Sequence, residues 1–204
     1  MLKNIKKILL FSLFSLVLLA AVCRKNDDNK PGSMAFRVDK ALLGETVNLD
    51  SLGITLRAPK GWNQLPDEML RSMHEKLQGA QTDDRMFQFT PIRFFINPEQ
   101  GCVLSVSQLH FTLDSTEADF NTMYRASLDQ KFAQGSIHQT LFFKDDIEMN
   151  QMFIQIPKRI IIKLLFKDAN GEMLQLDYMV PKDKYPELAE SIESSIGTIQ
   201  RKKN

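Results

Sequence analysis

Cysteine is scarce in this chain. Cys23 and Cys102 are the only two in 204 residues, so no disulfide framework holds the fold, and no close cysteine pair offers a zinc site. Histidine is equally sparse: His74, His110 and His138 lie far apart, and no two have the spacing of a metal motif. The expected role of all three is structural or solvated. A glycine-rich phosphate loop is missing, as is the Gly-x-Ser-x-Gly nucleophile elbow of the hydrolases. An excess of positive charge is missing too. Lys and Arg number 26 against 25 Asp and Glu, for a formal net charge of +1. Phosphate backbones need a basic surface, so nucleic acid is not an expected partner. With no catalytic constellation in view, the chain is read as non-enzymatic, with no cofactor and no assigned metal ligand.

What is present is organised around Arg159 to Val180. Two apolar runs, Arg-Ile-Ile-Ile-Lys-Leu-Leu-Phe-Lys and Glu-Met-Leu-Gln-Leu-Asp-Tyr-Met-Val, flank Asp168-Ala169-Asn170-Gly171. Asn170-Gly171 has the chemistry of a two-residue hairpin turn, in which positive φ is required. Alternation puts Ile160, Ile162, Leu164 and Phe166 on one face of the first strand, and Leu174, Leu176, Tyr178 and Val180 on one face of the second. Lys163, Gln175 and Asp177 fall on the opposite faces. A hairpin this apolar belongs in the middle of an antiparallel sheet, because an exposed edge of this kind aggregates.

The chain opens on Lys3, Lys6 and Lys7, followed by an apolar run from Ile8 to Val22 broken only by Ser12 and Ser15. About 15 apolar residues suit the core of a signal peptide and fall short of the roughly 20 that a membrane span needs. Loss of residues 1–22 removes three lysines and no acid, taking the formal charge from +1 to −2. Leu19-Ala20-Ala21-Val22-Cys23 resembles a bacterial lipobox, which implies lipid on Cys23 at the mature N-terminus. Val22 stands where that motif carries a small residue, and Ala20 where it carries leucine. An ordinary signal-peptidase cut near Ala20-Ala21 is the alternative, giving a secreted or periplasmic protein. Arg24 to Ser33 has no apolar residue and reads as a leash. The expected organisation is a signal peptide over 1–22, a tether over 23–43 and a domain over 44–201.

Within the domain, short strands are expected at Thr46–Leu49 and Gly53–Ala58, then a helix from Pro66 to about Gln78. Its apolar face is Met69, Leu70, Met73 and Leu77, and Gly79 is the expected stop. Met86–Ile96 and Cys102–Phe111 form a strand pair, with Pro91 marking an edge or a bulge. A helix follows over Asp114–Ala133, capped by Thr116, with Phe120, Met123, Tyr124, Leu128 and Phe132 at helical spacing. Ile137–Phe143 and Met149–Ile156 are further strands ahead of the hairpin. A last helix begins near Asp183, with Pro186 in its first turn and Leu188, Ile192, Ile196 and Ile199 as one apolar stripe. Arg201, Lys202 and Lys203 follow, where positive charge complements a helix C-terminus.

Gly53-Ile54-Thr55-Leu56-Arg57-Ala58-Pro59-Lys60-Gly61-Trp62 is a strand entering a Pro-x-Gly-Trp turn. With the helix around Phe120–Phe132, the late hairpin and the closing Ser191–Ile196 helix, it resembles the PsbP-like superfamily, which includes the DcrB-like bacterial lipoproteins. The resemblance covers roughly residues 44–200. It implies an α+β fold, an α/β/α sandwich around a mostly antiparallel sheet with packed helices, and an accessory or partner-binding role. The photosystem branch of the family binds metal ions, but its ligands do not map onto this sequence.

The remaining polar features have modest expectations. Asp168 to Glu172 is a hairpin turn, lacking the repeat of a calcium loop. Asp145, Asp146 and Glu148 form an acidic turn, at most a weak cation site. Met69, Met73, Met123, Met152 and Met173 are core fillers. Trp62 is a packing anchor or the wall of a ligand cleft. Cys102 is expected to be a buried free thiol, with a dimer disulfide as the alternative. Two functional readings follow: a lipid-anchored accessory protein of the bacterial cell envelope, held to the bilayer and meeting a protein partner, or a small-molecule or metal-ion binding module at the same address, using the loops beside Trp62 and Asp145-Asp146.

Overall fold

Runs rich in β-branched and aromatic residues, separated by turn residues, become strands in this chain, and the three segments with helical apolar spacing become helices. A computed structural model describes residues 32–80, 86–111 and 117–202. In chain order the first strands are β1 (Gly32–Ser33), β2 (Leu43–Leu49), β3 (Ile54–Pro59) and β4 (Asn63–Gln64), followed by helix α1 (Asp67–Ala80). Then come β5 (Phe87–Asn97), β6 (Cys102–Phe111) and helix α2 (Glu117–Lys131). The second half holds β7 (Ser136–Lys144), β8 (Ile147–Gln155), β9 (Arg159–Lys167), β10 (Met173–Pro181), helix α3 (Tyr185–Gly197) and β11 (Gln200–Arg201).

Eight strands form one sheet in the order β1-β7-β8-β9-β10-β6-β5-β4. All neighbours are antiparallel except β1 with β7, so the sheet is mixed only at that edge. The apolar hairpin occupies the two central positions, as its composition requires. Pro91 is tolerated because the β5–β6 register shifts between Pro91 and Arg93, one strand in from the edge. The expected run of strands in a single sheet is corrected in one respect. β2 and β3 leave the main sheet and, with β11, make a separate three-stranded one.

The hairpin turn also differs from the expectation. Five residues, 168–172, separate β9 from β10, and of Asn170 and Gly171 only Gly171 has positive φ, at 86°. The Asp168 carboxylate builds the loop, accepting from the N–H groups of Asn170 (2.7 Å) and Glu172 (2.9 Å). The loop is also packed from outside. Gly53, at φ 60°, brings its backbone so close to Ala169 that a Cβ on Gly53 would lie 2.6 Å from the Ala169 Cβ.

Alternation divides the central strands cleanly between two cores. Ile160, Ile162, Leu164 and Phe166 of β9, with Leu174, Leu176, Tyr178 and Val180 of β10, pack under α3 and the small sheet. Ile161 and Leu165 pack on the other side with Phe120, Tyr124 and Leu128 of α2. The architecture is therefore α2, then the eight-stranded sheet, then a layer shared by α3 and the small sheet, the α+β sandwich expected from the sequence. Leu188, Ile192, Ile196 and Ile199 are all buried in that last layer. Tyr178 is tied to α3 through a 2.9 Å hydrogen bond between its hydroxyl and Ser195 Oγ, and Ser195 donates to the Arg57 carbonyl at 2.6 Å.

Four smaller expectations change. Met69 is 53% exposed and not part of an apolar seam, and α1 continues through Gly79 to Ala80. Arg201 and Lys202 do not complement a helix end. Gln200–Arg201 form β11 on β3, Arg201 pairs with Asp146 and Lys202 with Asp50. Finally, residues 32–43, inside the span expected to be tether, contact the domain. Met34 N–H donates to the Phe143 carbonyl at 2.8 Å, and the Phe36 ring lies 5.6 Å from that of Phe142.

Candidate functional site

A lysine in the middle of an otherwise apolar central strand must find a partner, since an unpaired buried ammonium is costly. Lys163 is that residue. It projects from β9 into the α2 side of the sheet and is only 7% exposed. The register sets Asp177 directly opposite it on β10, and Lys163 Nζ lies 2.8 Å from Asp177 Oδ2. The same carboxylate oxygen accepts from Gln175 Nε2 at 2.7 Å, and the Gln175 carbonyl oxygen accepts from the Tyr124 hydroxyl at 2.5 Å. One chain of hydrogen bonds thus runs from the sheet to α2. The other carboxylate oxygen, Asp177 Oδ1, is buried and has no partner among the described residues.

Above this network α2 leaves a groove of about 630 Å³, within the range of small-molecule sites. Met86, Phe87 and Phe89 form one wall, Met123 and Leu128 the other, and Lys163 and Tyr124 reach its floor. The Phe87 ring meets Phe111, Phe120 and Tyr124 at centroid distances of 5.1, 5.8 and 5.2 Å, which holds β5 against β6 and α2 beside the groove. Nearer the β7 edge, Gln139 donates to Asn150 at 3.0 Å and Asn150 to Asn121 at 3.1 Å, a second polar tie between sheet and helix.

Burial raises the Tyr124 phenol well above its usual range near 10, and the negative charge of Asp177 adds to the effect. Tyr178, in the other core, is likewise raised by burial, with its hydrogen bond to Ser195 opposing. Both phenols ionise at lower pH in the unfolded chain than in the folded one. Their contribution to stability is therefore complete below about pH 10 and is lost as pH rises beyond it. Urea midpoints measured from pH 8 to 11.5 are expected to fall above about pH 10, less steeply in Tyr124→Phe. A wild-type midpoint that stays level to pH 11.5 would contradict the buried, neutral state of these side chains.

The residues singled out from sequence fall elsewhere. Trp62 is 5% exposed and packs at 6.3 Å on the Tyr178 ring, so it anchors a core. Asp145 and Asp146 are the two-residue turn between β7 and β8, with Asp145 at φ 54°. Each carboxylate already faces a cation: Asp145 faces Lys144 at 2.6 Å, and Asp146 faces Arg201 at 3.1 Å. Trp62 precedes edge strand β4 and the acidic turn lies near the opposite edge, so the fold does not bring these two loops together. His110 and His138 are exposed, and the side chain of His74 lies outside the described residues. Among the described residues no three His, Cys, Asp or Glu side chains gather as a metal site. Met152 is fully buried. Met123 and Met173 are partly buried against the α2 core. The Met73 side chain and Thr116 lie outside the described residues. Cys102 is a free, buried thiol raised by burial to about 11. Cys23 lies outside the described residues.

In sequence comparisons neither a family profile nor a curated protein matches the chain. A structural comparison matches it to the solution structure of cyanobacterial PsbP (CyanoP) from Synechocystis sp. PCC 6803. The TM-score is 0.50 and the identity 12%, with 83% of this chain and 98% of that chain covered. At that identity the likeness establishes a shared fold.

Proposed function

We propose that this protein is a non-enzymatic accessory protein of the bacterial cell envelope, anchored by lipid on Cys23 and acting by binding a partner. The observation that carries the reading is the floor of the α2 groove. Lys163, Asp177, Gln175 and Tyr124 hydrogen-bond to one another, and burial keeps the Tyr124 phenol neutral. These side chains are engaged with one another and cross-link helix to sheet. The arrangement suits recognition. The PsbP-like fold supports the same reading through the accessory role that the sequence resemblance implies.

The leash supports the anchor. Among the described residues the chain meets the sheet at Gly32–Ser33 on β7, and nine residue steps from Cys23 to Gly32 can span about 30 Å at most. A lipid on Cys23 would hold the domain against the bilayer and raise its local concentration for any membrane-borne partner. Cleavable amine crosslinking in intact cells tests this. Wild-type protein is expected to give a discrete protein adduct in the membrane fraction, lost in Cys23→Ser. Equal adduct yield from the two proteins, or none from either, would count against a tethered partner-binding role.

A further inference from the structure

We propose that the groove along α2 binds a small organic monoanion, an acyl or aryl carboxylate. Its apolar body would lie on Met86, Phe89 and Met123, and its carboxylate would meet the ammonium of Lys163. Size and chemistry agree. The volume of about 630 Å³ accommodates such a molecule. The two methionines give walls that adapt to a chain without a fixed shape.

Charge selects the head group. The described lining contains two ammonium groups, Lys163 on the floor and Lys131 at the rim, and no carboxylate. Asp177 lies behind Lys163, and its Oδ2 is shared between Lys163 and Gln175. Lys163 is nine-tenths buried. An ammonium has three N–H donors, and one described acceptor, Asp177, meets them. Donors turned toward the groove have water as their partner there, and an anionic oxygen arriving from the groove replaces that water with a charge-assisted hydrogen bond. A cationic head would face Lys131 and Lys163, and the described lining offers it no carboxylate. A neutral hydroxyl would supply an acceptor but not the opposite charge.

The test is equilibrium dialysis of labelled octanoate against the full chain in phosphatidylcholine nanodiscs, with empty nanodiscs as reference. Saturable uptake of about one octanoate per chain is expected, with 1-octanol competing roughly tenfold or more less well, the scale of a charge-assisted hydrogen bond. Lys163→Met should abolish uptake. Because that change strands the Asp177 carboxylate and can unfold the chain, Ala126→Trp is the deciding variant. Ala126 lies on the exposed side of α2 and lines the groove, so the indole would fill the space while the fold stays intact, and uptake should fall at least about tenfold. Uptake equal to that of empty nanodiscs, uptake unchanged by Ala126→Trp, or displacement by 1-octanol as effective as by unlabelled octanoate would each overturn the proposal.

Discussion

Replacing Lys163 by methionine is expected to lower stability by about 3–5 kcal/mol, because the Asp177 carboxylate is then left buried without its cation. The pair is enclosed: the two side chains are 9% and 13% exposed, so solvent does little to screen the loss. Asp177→Leu should cost a similar amount for the reciprocal reason. The double variant Lys163→Met/Asp177→Leu removes both charges from the same site and should recover most of the loss. The residual deficit comes from Gln175, which loses its acceptor. Urea midpoints of the four proteins give the coupling directly. Additive losses in the double variant would mean that the two side chains do not act as a pair.

Truncating Ile192 to alanine should cost roughly 2–5 kcal/mol, the range for deleting a buried aliphatic side chain and leaving a cavity. Ile192 is fully buried in the middle of α3, and neighbouring Tyr178–Ser195 and Ser195–Arg57 hydrogen bonds hold the helix in place. The packing around it therefore has little freedom to collapse into the space. A thermal or urea midpoint within error of wild type would mean that α3 does not pack on the sheet.

The elements were legible where local pattern decides them. The α3 stripe, the α2 face and the central hairpin each carry an unambiguous period, and each is found in place. The groove was not legible, and the hairpin loop explains why. A two-residue turn at Asn170-Gly171 would set Ala169 opposite Glu172 and Lys163 opposite Tyr178. The observed loop sets Lys163 opposite Asp177. A one-residue slip of this kind exchanges every cross-strand partner, so the buried ion pair is hidden in the sequence even though alternation puts Lys163, Gln175 and Asp177 opposite the apolar rows. The loop length depends on Asp168 bonding two backbone N–H groups and on Gly53 and Leu52 packing against Ala169, contacts between segments more than a hundred residues apart. The second sheet was hidden for a related reason. β11 is two residues long and its sequence, Gln200-Arg201, has no strand character. It pairs only because the end of α3 delivers it to β3. Trp62 and the Asp145-Asp146 turn stood out by residue type alone, and residue type does not report whether a side chain is already engaged.

The lipid anchor proposed on Cys23 is what would keep this protein at the membrane. Acyl chains contribute about 0.8 kcal/mol per buried CH₂, and two or more hold a protein stably where one does not. A chain whose formal charge falls to −2 once residues 1–22 are removed has no electrostatic attraction to an anionic surface. The direct measurement is the intact mass of the detergent-extracted protein, with its phase partitioning, beside that of Cys23→Ser. A lipid anchor predicts a wild-type chain that begins at Cys23, carries added acyl mass and enters the detergent phase, and a Cys23→Ser protein that carries no acyl mass. Two proteins that both stay in the aqueous phase without acyl mass would contradict it.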